Sequence, residues 1–310
     1  MVSRVKRDLI VLFVVLGVAA VLPLMVREIY LYLVRLIGIY AIMALGLNIF
    51  MGYCGQVNIG VAGFFCIGAY IPTVLQGKLG WHYLIAFPIS AFVSLLVGWG
   101  MSWPLLRLRG HSMAIGTIAF AMAVYLLFER FPTITGGSDG TVVPAMTLFD
   151  QTMGNIFYYY LILVFFAVAF LICYFLANSQ IGLALRAVRD NEEAAAAMGV
   201  DINHYKRLAW LVNGVLASIA GSLYAQQAGF ISPDTFALST NVLVLVMLCV
   251  GGPGTILGPV VGAAIMTILP YLLVKIQQYT LLMQGLVLFA VLRFLPDGVV
   301  GAISKRFRST

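Results

Sequence analysis

Charge is scarce in this chain: 9% of its 310 residues are Asp, Glu, Lys or Arg, where a soluble domain carries about 25%. That shortage excludes a water-soluble globule. The eleven acidic residues fall in loops or at expected helix ends, none inside an apolar run. Proton- and sodium-driven carriers commonly hold a carboxylate within the membrane, so the chain lacks their usual machinery. No GxxxxGK[ST] phosphate-binding loop occurs either. If the chain moves a solute uphill, another chain must supply the energy.

Cysteine and histidine are equally sparse. Cys54, Cys66, Cys173 and Cys249 all sit in apolar stretches without a CxxC pair, which reads as buried packing rather than a disulfide or metal framework. His82, His111 and His204 are scattered at expected helix ends. No Cys/His/Asp or Ser/Lys set converges on one depth. The chain therefore has no assignable catalytic residue or metal ligand, and an embedded enzyme is the weakest class.

What is abundant is apolar sequence, 62% of the chain. Apolar runs fall at about 9–26, 29–50, 58–76, 83–106, 112–128, 155–177, 208–225, 239–251, 256–274 and 280–295. Only helices or closed barrels satisfy their backbone groups in lipid, and barrel strands would alternate over about ten residues. The expected fold is an all-α polytopic membrane protein: one transmembrane domain over 1–310 with about ten spans of roughly 20 residues each. The first run follows MVSRVKR and has 18 residues without an A-x-A site behind it. It reads as a retained membrane helix rather than a signal peptide.

The net charge of +7 marks orientation in a lipid bilayer, not nucleic-acid binding. With the N-terminus inside, twelve basic residues fall on the cytoplasmic side: at the N-terminus, at Arg107 and Arg109, within 186–207 and in the C-terminal tail. Arg27, Lys78, Arg130 and Lys275 are the four on the other side. That bias puts both termini in the cytoplasm. Arg35 and Arg293, near the ends of apolar runs, are expected to snorkel outward.

One stretch breaks the pattern. Residues 186–207, RAVRDNEEAAAAMGVDINHYKR, hold eight of the 29 charged side chains and lie in the expected cytoplasmic loop 178–207. Asp190, with Glu193 three residues on, has the spacing of a helix start with its capping partner. Strong helix formers follow, Gly199 is placed to end the helix, and Asp201 or Asn203 can start the next. A helix of about two turns is marginal alone in water. It is either a solvated interfacial loop or a helix made to dock on another surface.

Glycine marks two further places. In residues 46–70, glycines surround Gln56 and Asn58; in 251–264 they surround Pro253 and Pro259. Small residues allow close helix packing, but polar residues at a helix break can also face a pathway. Asn48, Gln56, Asn58, Thr117, Asn213 and Asn241 are the candidates for a translocation path, and each could equally bond a neighbouring helix. The TGGSDG turn, Thr135, Gly136, Gly137, Ser138, Asp139 and Gly140, falls in the longest external loop. It is either a tight turn or part of an outer mouth.

The ordered set LNIFMGYCGQVNIGVAGFFCIGAY, LRLRGHSMAIGT, TGGSDG, IGLALRAVRDNEEAAAAMGVDINHYK, GSLYAQQAGFISPDTF, VGGPGTILGPVVGA and FLPDG resembles the LivM-type permeases of branched-chain amino-acid ABC importers over about residues 38–300. Glu193-Ala194-Ala195 followed by Gly199 is similar to the EAA-x-x-x-G loop of such permeases, although LAWLVNG stands where many carry I-x-L-P. The resemblance implies that Arg186, Arg189, Asp190, Glu193, Ala194, Ala195 and Gly199 couple to an ATPase, with Ala195 in a closely approached cleft. It also implies a homologous LivH-type permease, two cytoplasmic ABC ATPases that bind ATP and Mg, and an extracytoplasmic substrate-binding protein. The chain itself would carry no cofactor and sit in the bacterial cytoplasmic membrane. Two alternatives are a paralogous permease for urea or short amides and, from another class, a stand-alone channel or secondary carrier.

Overall fold

The computed structural model describes residues 17, 19–23, 28–108, 110–148, 151–152, 154–272, 280–295 and 298–306. Most of the first apolar run, together with Arg27, Arg109 and Lys275, lies outside them. Helix α1, Glu28–Leu47, continues directly into a π-helical stretch, Asn48–Tyr53. Then come α2 (Val61–Leu79), α3 (Tyr83–Leu105), α4 (His111–Arg130) and α5 (Asn155–Asn178). Two short helices follow, α6 (Gln180–Asp190) and α7 (Glu192–Ala197), before the long α8 (Ile202–Ala228). The described chain closes with α9 (Leu238–Gly251), α10 (Gly258–Leu272), α11 (Thr280–Phe294) and α12 (Gly298–Arg306).

Six segments among the described residues are long and apolar enough to cross a membrane: α1 with its π-helical end, α3, α4, α5, α8, and Pro233–Gly251 including α9. The protein is an all-α polytopic membrane protein, with six such spans seen where the sequence suggested about ten. Of the other helices, α2 has 19 residues, and 15 residues each are described for α10 and α11. The four strands among the described residues are two residues long and serve as loop clips. One pair, β1 (Thr141–Val142) on β4 (Phe230–Ile231), is antiparallel with Thr141 opposite Ile231. The other pair is β2 (Thr147–Leu148) on β3 (Gln151–Thr152).

Helix α8 is the centre, packed against α2, α1 and α3. Between lipid-exposed helices no hydrophobic driving force remains, so close van der Waals packing must hold the bundle. Small residues provide it. A Cβ added at Gly68 would overlap the Ser218 carbonyl, and one at Gly221 would overlap the Phe65 carbonyl. Trp210 on α8 fills the space beside this seam, its ring edge-on to Phe50 and Phe64 at 5.4 and 5.1 Å. The indole finds its partner too, donating to the Gly98 carbonyl at 3.0 Å.

The loops gather at two ends. At one, Lys78 bonds the Thr133 carbonyl, Tyr125 donates to Asp234, and β1 pairs with β4. At the other, both glycine-rich breaks meet α6, α7 and the start of α12. Arg293 is exposed, but Arg35 corrects the expectation that it snorkels. It is 7% exposed and donates to the Asn155 carbonyl at 3.3 Å, below the Tyr158 ring. The first turn of α5 supplies that acceptor.

Candidate functional site

The glycines after Tyr53 end α1. Gly55 takes φ +73°, and the Gln56 amide reaches back to the Phe50 carbonyl at 3.2 Å, so the helix closes in a left-handed cap. An irregular stretch then leads to α2, and amides around its entry have no intrahelical acceptor. Three side chains satisfy them. Ile59 N–H donates to Thr117 Oγ1 (3.1 Å), Gly60 N–H to Asn58 Oδ1 (2.8 Å) and Ala62 N–H to Asn241 Oδ1 (2.7 Å).

Asn48 joins this break to the second one. Its Oδ1 accepts from Gly254 N–H and its Nδ2 donates to the Thr255 carbonyl, both at 2.8 Å. One buried amide thus holds two segments more than 200 residues apart. Of the six path candidates, Asn48, Asn58, Thr117 and Asn241 spend polar atoms on helix ends, and Gln56 bonds Glu192. Asn213 differs: wholly buried in α8, its amide has no hydrogen-bond partner among the described residues.

Helices α6 and α7 lie against the first break. Ser179 Oγ caps α6 by accepting from Ile181 N–H at 3.2 Å, and Gly182, Leu185 and Val188 form its buried stripe. Arg186 turns inward, donating to the Gly182 and Ala177 carbonyls (3.0 and 3.1 Å) with Tyr53 beneath its guanidinium. Arg189 stays exposed, yet its guanidinium donates to the Gly52 carbonyl at 3.0 Å and pairs with Asp190 at 3.2 Å. Glu192 Oε1 accepts from Lys206 Nζ at 2.6 Å and from Gln56 Nε2 at 3.0 Å. Lys206 is only 3% exposed there.

Two expectations for this region, both about helix capping, are corrected. Asp190 ends α6, and the cap of α7 is Asn191, whose Oδ1 accepts from Ala194 N–H at 3.0 Å. Asn191 holds that role because the amphipathic α6 runs through Asp190 and only then turns extended. Glu193 is exposed instead of closing a capping box. Ala195 is buried, facing the chain's own body rather than outward, so its small size suits internal packing. Arg186 is half-buried. Arg189, Asp190, Asn191, Glu193, Ala194, Ala196, Ala197, Met198 and Gly199 are exposed.

The end of α7 is as the sequence suggested. Gly199 takes φ +83°, and Val200 N–H reaches the Ala195 carbonyl at 3.0 Å. Asp201 then caps α8 through His204 N–H at 3.1 Å. Sequence reasoning missed Glu192 and Lys206, whose opposite charges lie 14 positions apart, and Met198, a lone large apolar residue left 84% exposed. Cys54 lies beside that ion pair. Burial pushes its thiol up to about 12, more than the nearby Lys206 ammonium lowers it.

At the opposite end, TGGSDG is a locked turn. Buried Thr135 donates to the Phe131 carbonyl and accepts from Gly137 N–H, while Gly136, Gly137 and Gly140 all take positive φ. Ser138 and Asp139 remain exposed.

The family model described as "Branched-chain amino acid transport system / permease component" matches residues 29–292. The LivM permease protein of the high-affinity branched-chain amino acid transport system of Salmonella typhimurium is 28% identical across 96% of this chain and 76% of its own. The LivM protein of Escherichia coli K12 is 28% identical over 82% of this chain and 65% of its own. An autoinducer 2 import system permease protein, LsrC of Yersinia pseudotuberculosis, is 28% identical over 78% and 66%. The match thus spans about two thirds to three quarters of these longer relatives. No solved structure matches the chain.

Proposed function

Because the chain belongs to the branched-chain amino acid transport system permease family, we propose that it serves as the membrane permease of an ATP-binding-cassette importer for branched-chain or other aliphatic amino acids. One observation carries the coupling part of this reading. The short helix α7 presents Glu193, Ala194 and Ala196 outward with Met198 at its end, while Glu192 ties it to Gln56 at the first break, the adjoining α6 reaches Gly52 through Arg189, and Asn48 links that break to the second. A helix exposed on one side and fastened on the other suits the transfer of motion from a docked partner.

In this reading the partner is a cytoplasmic ATPase, present twice, which holds ATP and Mg and performs all hydrolysis. A LivH-type permease pairs with this chain, and a substrate-binding protein docks near Ser138 and Asp139. The chain forms one domain over 1–310 with about ten spans in the bacterial cytoplasmic membrane, with both termini and loop 178–207 inside. Neutral groups such as Asn213 line the path and bind the solute weakly, leaving selectivity to the binding protein. A second reading keeps the machine and changes the cargo to another small polar solute. The likeness to an autoinducer 2 permease supports it.

Reconstitution tests both. The permease purified with its ATPases, placed in vesicles with ATP inside and binding protein outside, is expected to accumulate leucine or valine. Accumulation without ATP would indicate a stand-alone carrier. ATP-driven uptake of a different solute alone would select the second reading.

A further inference from the structure

We infer that Glu192 and Lys206 are positioning residues of the transport cycle, and that their ion pair, with the ammonium buried and the carboxylate half-buried, fastens α7 to the first glycine break so that the two move together. The inference rests on the importer reading above. It concerns residues that the family-like motif does not include, since the motif begins at Glu193.

Three elements converge on one oxygen. Glu192 is the first residue of α7, Lys206 lies early in α8, and Gln56 follows the break in α1. Glu192 Oε1 receives the Lys206 ammonium at 2.6 Å and the Gln56 amide at 3.0 Å. The ammonium is almost fully withdrawn from water, so removing the carboxylate would strand a buried charge. Opening this contact is therefore costly, whereas the exposed Arg189–Asp190 pair is cheap to break.

A second tie runs in parallel. Arg189 donates to the Gly52 carbonyl, and Gly55 lies against the Arg189 side chain. From the same break Asn48 reaches Gly254 and Thr255. A displacement of α7 therefore cannot be absorbed by a loose hinge on its inner side. It must be passed to Gln56 and Gly52, and through Asn48 to the second break. An ion pair of this kind contributes little net stability compared with apolar packing. Its use lies in fixing which groups move as one body.

The test uses the whole transporter, with its ATPases and binding protein, in vesicles. The quantities read are ATPase retention, ATP hydrolysis and solute transported per ATP hydrolysed. For Glu192→Ala and Lys206→Ala, ATPase retention should persist because the outward face is unchanged. Solute per ATP should fall roughly tenfold, within the range by which single contacts in a coupling network act. The exchange Glu192→Lys with Lys206→Glu should restore most of the ratio, since Gln56 can turn its amide to accept from the new ammonium.

The apolar double variant, Glu192→Leu with Lys206→Met, guards against misfolding, because buried ion pairs often yield to apolar pairs without loss of stability. It should fold, keep its ATPases and remain uncoupled. A wild-type ratio in that variant would reduce the pair to packing and overturn the inference. So would loss of the ATPases from it, which would place the pair in the docking surface. If even the wild-type complex shows no ATP-driven uptake, the importer reading itself fails, and the inference falls with it.

Discussion

Arg189 on α6 donates to the carbonyl of Gly52 at 3.0 Å, and this one bond joins the charged stretch of the sequence to the broken end of a membrane helix. The glycine beside it makes the bond possible. Gly55 takes φ +73°, and a Cβ there would collide with the Arg189 side chain.

Gly55→Leu should therefore act in two ways, straining a left-handed residue by about 1–2 kcal/mol and displacing Arg189. Uptake is expected to fall strongly while the complex still assembles on size-exclusion chromatography. Arg189→Ala should reproduce the transport loss without the backbone strain. Wild-type uptake in both would mark the contact as ordinary packing.

The topology is checked with single cysteines in a background lacking the four native ones. Ser138 and Ala196 are both exposed and lie at opposite ends of the bundle. In intact cells an impermeant maleimide is expected to label Ser138→Cys and not Ala196→Cys. The reverse pattern would invert the orientation drawn from the basic residues.

Cys54 reports on the packing around the network. Its thiol is buried and pushed up from the ordinary 9.0 to about 12, and only the thiolate reacts. At pH 8 it should resist maleimide in the folded protein and react once unfolded. The linkage has a definite sign. Because folding raises this pKa, its contribution to stability is complete below 9.0 and is lost as pH rises towards about 12. Rapid labelling of folded protein at pH 8 would contradict the buried network.

Asn213 separates a structural role from a transport role. Its amide is buried without a hydrogen-bond partner among the described residues, and such groups cost about 1–3 kcal/mol. Asn213→Leu should raise the unfolding temperature in detergent by relieving that cost. If the amide meets the solute, uptake should fall all the same. A more stable variant with full uptake would remove Asn213 from the path.

Features written in local chemistry were legible in the sequence. The apolar runs announced the membrane helices, the glycines at 52–55 and 251–254 announced breaks, and Gly199 and Asp201 fell where a stop and a cap were expected. The cap of α7 was misplaced by one residue, because the buried stripe of Gly182, Leu185 and Val188 carries α6 through Asp190. Distant partners left no local trace. Nothing near Asn48 points to Gly254, and Lys206 resembles any basic residue at a membrane boundary until Glu192 is seen against it. The burial of Ala195 was not readable, because a six-residue helix has too few turns to define a face.

The measurement that bears most directly on α7 as the ATPase contact is ATPase retention and uptake in Met198→Asp and Gly199→Val, with Ala195→Trp alongside. Met198 is 84% exposed at the end of α7, so a charge there should leave the permease folded. Gly199 has open space around it but φ +83°, so valine should distort the helix end through backbone strain alone. Ala195→Trp should disturb the permease itself, because Ala195 is buried within it. The expected result is that the Met198 and Gly199 variants insert normally, retain little ATPase and lose uptake. If both retain their ATPases and transport as wild type does, the segment is only a solvated loop.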